Sequence, residues 1–264
     1  MRTETTTRVL ISFDCGHPSE ELLQLLPRLL GTRPLELTGL YVEDEDLLRA
    51  AALPGLREVS LNGQVAEMDV DRLQKEQAAE ASAIRSTFEA VAARMRMQHR
   101  FLVTRGRASE ELTRIADDSD FVLITRALRT SGLRPRSGVH YDRLLRQSRN
   151  ILFVNEPWRS GSSVVVLGGT GDSLDVARRF SEAETLTVVL AAKAPEPHGL
   201  ETDPRLLDGE RRVTLAEWTE EAIADLCLAQ DARLLIVPKT HPLNWEELLP
   251  RLMDRLPCSV LKLC

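Results

Sequence analysis

Residues 120–154 read DFVLITRALRTSGLRPRSGVHYDRLLRQSRNILFV. Two apolar runs bound the stretch, Phe121-Val122-Leu123-Ile124 and Ile151-Leu152-Phe153-Val154. Their length and their branched and aromatic content predict two buried strands. Between them lies an Arg-rich segment with Gly132, Pro135 and Gly138, followed by a short helical pattern from Tyr141 to Ser148. Strand, loop, helix and strand in this order fit a parallel α/β sheet. In such a sheet the loop leaving the carboxyl end of a strand is where ligands sit.

Upstream, the same grammar holds. Arg8 to Phe13 is a β-rich run ending at Asp14, and Ser19, Glu20 and Glu21 suit the start of a helix. Leu22, Leu25, Leu26 and Leu29 recur at helical spacing, with Gly31 as the stop. Leu35 to Val42 alternates as a second strand, and the short returns predict a right-handed parallel crossover. Glu43 to Gln64 is irregular, with Asp44-Glu45-Asp46 as a solvated acidic turn rather than a cation site. A long helix is predicted from about Asp71 to Met97, its buried face marked by Leu73, Ile84, Phe88, Val91 and Met95. His99 to Thr104 is a third strand, and Ser109 is placed to cap the next helix.

Downstream, Glu156 to Ser162 looks like a linker, after which the plan restarts. Strands are predicted at Val164–Leu167, Leu186–Ala191, Val213–Ala216, Leu234–Val237 and Ser259–Leu263. Helices fall at Leu174–Ala183, Thr219–Gln230 and Asn244–Leu256. Arg8–Asp14 corresponds to Ser163–Gly169, and Ile151–Val154 to Ser259–Leu263. A repeat of this length is a duplicated domain rather than a solenoid unit, which divides the chain into residues 1–157 and 158–264.

Within its 264 residues, a net charge of −6 gives no general pull toward nucleic acid or anionic lipid. No run approaches a membrane span, and Met1 to Thr7 lacks the apolar centre of a signal peptide, so the expectation is a cytoplasmic protein. Cys15, Cys227, Cys258 and Cys264 show no metal-ligand spacing. They read as reduced thiols; a redox pair would need the fold to bring two together. His17, His99, His140, His198 and His241 are scattered, no Gly-x-Ser-x-Gly elbow occurs, and the expectation is a non-enzyme. His17 and His140 fall at the carboxyl ends of neighbouring strands and are read as surface residues.

Three stretches together resemble the universal stress protein family: Val9-Leu-Ile-Ser-Phe-Asp14, Thr104-Arg-Gly-Arg-Ala-Ser-Glu-Glu-Leu-Thr-Arg-Ile-Ala116, and Asp120-Phe-Val-Leu-Ile124. The resemblance covers most of residues 8–156, and the later half follows it in layout more than in letters. It implies two tandem flavodoxin-like (adenine nucleotide alpha hydrolase-like) domains, each a five-stranded, mostly parallel sheet flanked by helices. It also implies that the two domains pair within the chain. A homodimer and an unidentified protein partner are compatible with this; a membrane or nucleic-acid partner is not expected.

Many members of that family bind ATP through Gly-x2-Gly-x9-Gly-[Ser/Thr]. Glycines let the backbone approach phosphates, and the hydroxyl adds a donor at a helix start. Aligned on this chain the positions are Thr125, Leu128, Gly138 and Val139, so one glycine survives and the hydroxyl is gone. Asp14 and Val42 fall where the family recognises adenine. The candidate nucleotide-binding residues are therefore Asp14, Val42, Arg126, Gly138 and Val139, with no ATP binding expected in the usual mode.

The alternative is a nucleotide sensor or slow ATP hydrolase. It would use Arg126, Arg129, Arg134, Arg136, Arg143, Arg146 and Arg149 on phosphate in place of backbone amides. Gly168-Gly-Thr-Gly-Asp-Ser173 joins a strand to a helix, the context of an anion site, yet a tight turn of this kind needs no ligand. The later half has Gly169 where the family has its Asp, and Pro238-Lys-Thr-His-Pro-Leu-Asn244 carries no glycine. That half is not expected to bind ATP in the family manner.

Overall fold

The computed structural model describes residues 6–13, 20–31, 33–59, 63–127, 142–146, 149–156, 158, 161–168, 171–193, 209–238, 245–256 and 258–264. The first part of the chain runs β1 (Thr7–Phe13), α1 (Glu20–Leu30), β2 (Leu35–Asp44), α2 (Glu45–Ala51), β3 (Arg57–Val59), β4 (Val65–Glu67), α3 (Val70–Arg94), β5 (Gln98–Gly106), α4 (Ala108–Ala116), β6 (Phe121–Ala127), α5 (Asp142–Arg146) and β7 (Asn150–Glu156). The second runs β8 (Ser163–Leu167), α6 (Gly171–Glu184), β9 (Thr187–Lys193), β10 (Arg211–Leu215), α7 (Glu220–Ala229), β11 (Ala232–Val237), α8 (Trp245–Arg255) and β12 (Ser259–Lys262).

Ten strands form one sheet in the order β10-β9-β8-β11-β12-β7-β6-β1-β2-β5, and β3 and β4 make a separate antiparallel hairpin. Neighbours in the large sheet are parallel except β12 and β7, which pair antiparallel. Each half therefore has the same order, its third, second, first, fourth and fifth strands of the large sheet, and the fifth strands meet at the centre. The predicted α/β class is observed, with helices on both faces.

The two faces carry two cores. One gathers residues of α1, α3 and α6 on strands of both halves, including Ile11, Leu123, Val166 and Ile236. The other lies beneath α4, α5, α7 and α8, including Leu10, Val122, Val165 and Leu235. Alternate residues of each strand feed opposite cores, so buried strands read as continuous apolar runs. Each core crosses the central seam, which makes the halves one packed body. Asn155 fastens that seam: its buried amide donates to the carbonyls of Cys258 (2.7 Å) and Leu256 (3.2 Å). The Lys262 ammonium donates to the Leu145 carbonyl at 2.8 Å, and the Cys264 N–H to Asn150 Oδ1 at 2.9 Å.

Local chemistry explains the element ends. Gly31 takes φ +83° and its N–H bonds the Pro27 carbonyl at 2.9 Å, the left-handed stop that the sequence predicts. Asp69 caps α3 through the N–H groups of Asp71 and Arg72. Two expectations change. Residues 43–59 are more regular than the breakers imply: Asp44 caps α2 by accepting from the Leu47 N–H at 3.0 Å. Ser109 does not cap α4; Arg107 occupies that position without a side-chain cap bond, and Ser109 lies inside the first turn, its carbonyl accepting from Thr113. Among the described residues no helix is long and apolar enough to cross a membrane.

Candidate functional site

In a sheet of this order the strands reverse direction of travel between β1 and β6, and ligands bind outside the carboxyl ends at that point. Phe13 ends β1, opposite Thr125 of β6. Its ring stacks on Phe101 (centroids 6.2 Å, planes 20° apart) and meets Phe88 edge-on at 5.9 Å. Thr125, at the first position of the spaced motif, is fully buried, and its hydroxyl donates to the Ser12 carbonyl at 3.3 Å. That hydroxyl is spent on the seam between β1 and β6.

Val42 lies near the carboxyl end of β2, opposite Thr104 of β5, half-buried against the core under α4. Arg126 is carried by β6 in register with Asn155 of β7. These two predicted residues thus stand on the carboxyl-edge strands of one half, with β1 between β2 and β6. Asp14, Gly138 and Val139 lie outside the described residues, as do Leu128, Arg129, Arg134, Arg136, His17 and His140.

Arg149 is not available for a phosphate. Its guanidinium donates to the carbonyls of Ala116, Ser119 (2.5 Å) and Asp117 (2.8 Å), closing the carboxyl end of α4. The acidic turn is occupied as well: Asp44 caps α2, Glu45 pairs Arg49 at 2.7 Å, and Asp46 pairs Arg107 at 3.1 Å. Glu43 pairs Arg105 at 2.8 Å beside it. One strand over, Glu111 accepts from Arg114 (2.5 Å) and Thr104 (2.6 Å), and these bonds, Arg114 first, hold its carboxyl below the usual range. The rim beside Val42 is therefore a set of internally matched ion pairs. Among the described residues no group of three or more His, Cys, Asp or Glu is placed to hold a metal.

The structure adds Gln77, which the sequence reading passed over. It sits on the sheet-facing side of α3 with Ala81, Ile84 and Phe88, and it is 1% exposed. Among the described residues both its amide atoms lack a hydrogen-bond partner. One turn along, Glu80 accepts from the Tyr41 hydroxyl of β2 at 2.8 Å. Because α3 runs against β2, Gln77 lies about one turn nearer the carboxyl end of β2 than Glu80. Helical side chains lean toward the helix N-terminus, which carries the amide further toward that edge.

In the second half the corresponding reversal lies between β8 and β11. Gly168 takes φ +55° after β8, its N–H bonds the Ala191 carbonyl at 2.8 Å, and α6 begins at Gly171. Residues 169 and 170 lie outside the described residues. The fold also brings two cysteines together: Cys227 of α7 and Cys258 before β12 are both fully buried in one core. The hydrogen bond with Cys258, then burial, pushes the Cys227 thiol well above its ordinary value.

No family model matches the sequence, and no curated protein sequence matches it. Among solved structures, the chain is similar to a universal stress protein from Archaeoglobus fulgidus DSM 4304, at 12% identity and a TM-score of 0.60, covering 97% of this chain and 95% of that one. It is also similar to hypothetical protein MJ0577, at 17% identity and TM-score 0.36, over 57% of this chain and 96% of that one. A third similar structure is CobK precorrin-6A reductase, at 14% identity and TM-score 0.25, over 97% and 87%. The likeness to the Archaeoglobus protein is one of fold, and it runs through both halves of the chain.

Proposed function

We propose that this chain is a non-catalytic regulatory protein of the universal stress type, a tandem pair of domains that acts by binding. The observation behind this is the central seam. Two five-stranded halves of identical order join antiparallel through β7 and β12, and the fold of the whole sheet is shared with a universal stress protein over nearly the full length of both chains. The protein acts in the cytoplasm, its output passing to a protein partner.

The first half keeps a degenerate nucleotide pocket. Val42 stands on the carboxyl edge where adenine would be recognised, while Thr125, Leu128 and Val139 replace two glycines and a hydroxyl of the phosphate cradle. A side chain in place of the motif's second glycine disfavours close approach of backbone to phosphate. Arg149, one of the arginines that would substitute for the cradle, is committed to α4. Both favour a protein without normal ATP binding over a sensor or slow ATP hydrolase.

Calorimetric titration of nucleotide-stripped protein with Mg-ATP, AMP and adenosine tests this. The expected result is no saturable ATP binding at tens of micromolar, and no phosphate release over that of buffer. Saturable binding near one ATP per chain, weakened by joint replacement of Arg126, Arg129 and Arg136, would establish the sensor instead.

A further inference from the structure

We propose that the cleft between α1 and α6, on the face opposite α4 and α7, binds a small organic carboxylate with an apolar body. The cleft holds about 260 Å³ and draws on both halves. Leu25 and Arg28 come from α1, Trp158 from the link between the halves, Glu184 from the last residue of α6, and Arg233 from β11; Glu21 and Gln24 complete the wall. The site exists only when the two halves are packed together, and it is independent of any nucleotide at the carboxyl edge.

Its chemistry is uneven in a directed way. Two guanidinium groups flank one carboxylate: Arg233 Nη1 donates to Glu184 Oε2 at 2.6 Å, and Arg28 lies in ion-pair contact with Glu184 Oε1, which among the described residues makes no hydrogen bond. Glu184 and Arg233 side chains are each 15% exposed, whereas that of Arg28 is 40% exposed and faces water. Arg233 Nε is buried and, among the described residues, has no acceptor. Arginine carries five N–H donors and a permanent charge, and one carboxylate cannot satisfy two such groups. The triad carries one net positive charge and, at Arg233 Nε, a buried donor that a second carboxylate would meet.

Leu25 and Trp158 give an otherwise polar wall one apolar patch. Leu25 is buried at its base, and half-buried Trp158 is fixed edge-on against Phe180 (6.2 Å, 90°). Glu21, on the same wall, is exposed, so its charge is screened by water. A concave site at a junction of domains is a common place for a small-molecule pocket. The volume limits the occupant to about the size of an aryl or short-chain acid.

Titration calorimetry of the whole chain with phenylacetate, and with phenylacetamide as its uncharged counterpart of the same shape, tests the assignment. Phenylacetate is expected to bind near one per chain, with the amide about tenfold or more weaker. Arg28→Gln weakens phenylacetate by a similar factor. Glu184→Gln, which leaves both arginines without their shared carboxylate, tightens it. Equal affinity for acid and amide, no binding of either, or an affinity that neither substitution moves would each overturn the proposal. The comparison of acid with amide uses the unmodified chain and stands whether or not a variant folds.

Discussion

Gln77 shows at the scale of one side chain what the pattern of a helix conceals. An amide buried without partners costs about 1–3 kcal/mol, and an apolar side chain of similar size recovers it. Gln77→Leu is therefore expected to raise stability by about that amount in urea melts; a loss of stability would mean that the amide is satisfied in solution. The position was not legible because Leu73 and Ile84 already supply a face for α3, and a glutamine among alanines reads as solvent-facing. Leu73 is in fact half-buried, and Gln77 takes the buried place. The cysteine pair was hidden differently, since residues 227 and 258 meet only through the fold. The folded chain holds the Cys227 proton more tightly than the unfolded chain does. Its contribution to stability is complete below about pH 8.5, the ordinary thiol value, and is lost as pH rises through the higher folded value. Melts at pH 7.5 and 9.5 should show a smaller pH-dependent loss in Cys227→Ala than in the parent; an equal loss contradicts this.

At the scale of elements, the strands were the most legible part of the chain. Phe121–Ile124 and Val164–Leu167 are continuous apolar runs because both faces of a parallel sheet are covered, and their positions in β6 and β8 follow directly. The hairpin of β3 and β4 was not legible: its Val59 and Val65 are exposed, so no buried alternation marks it. Gly39, inside β2, is explained by packing that no strand pattern reveals. A Cβ there would lie 2.6 Å from Phe101 and 3.2 Å from Phe88, the rings that Phe13 packs against. Gly39→Ala must displace that aromatic group and should cost about 1–3 kcal/mol; an unchanged melting midpoint would show that the rings yield freely. Of the candidate site, Val42 falls near the carboxyl end of β2 as the sequence reads, while Arg126, read as part of the loop, is carried within β6, which extends to Ala127. Nothing in the sequence shows that Arg149 serves α4, because a cap from a distant residue leaves no local pattern.

For the whole molecule, the decisive feature is the direction in which β7 meets β12. Both runs are apolar and of ordinary strand length, and nothing in their letters says that they are neighbours or that they run antiparallel. That arrangement carries each core across the seam, builds the cleft between α1 and α6 from both halves, and gives the chain the plan on which its proposed role rests. It follows that the halves act as one unit, with Asn155 holding the turn before β12. The most direct test is a set of cross-strand nuclear Overhauser contacts on the labelled chain in solution. Contacts pairing Phe153 with Val260, Leu152 with Leu261 and Ile151 with Lys262 are predicted, with amides protected from exchange. A parallel register, or rapid exchange along β7 and β12 with no contacts between them, would contradict the paired-domain account.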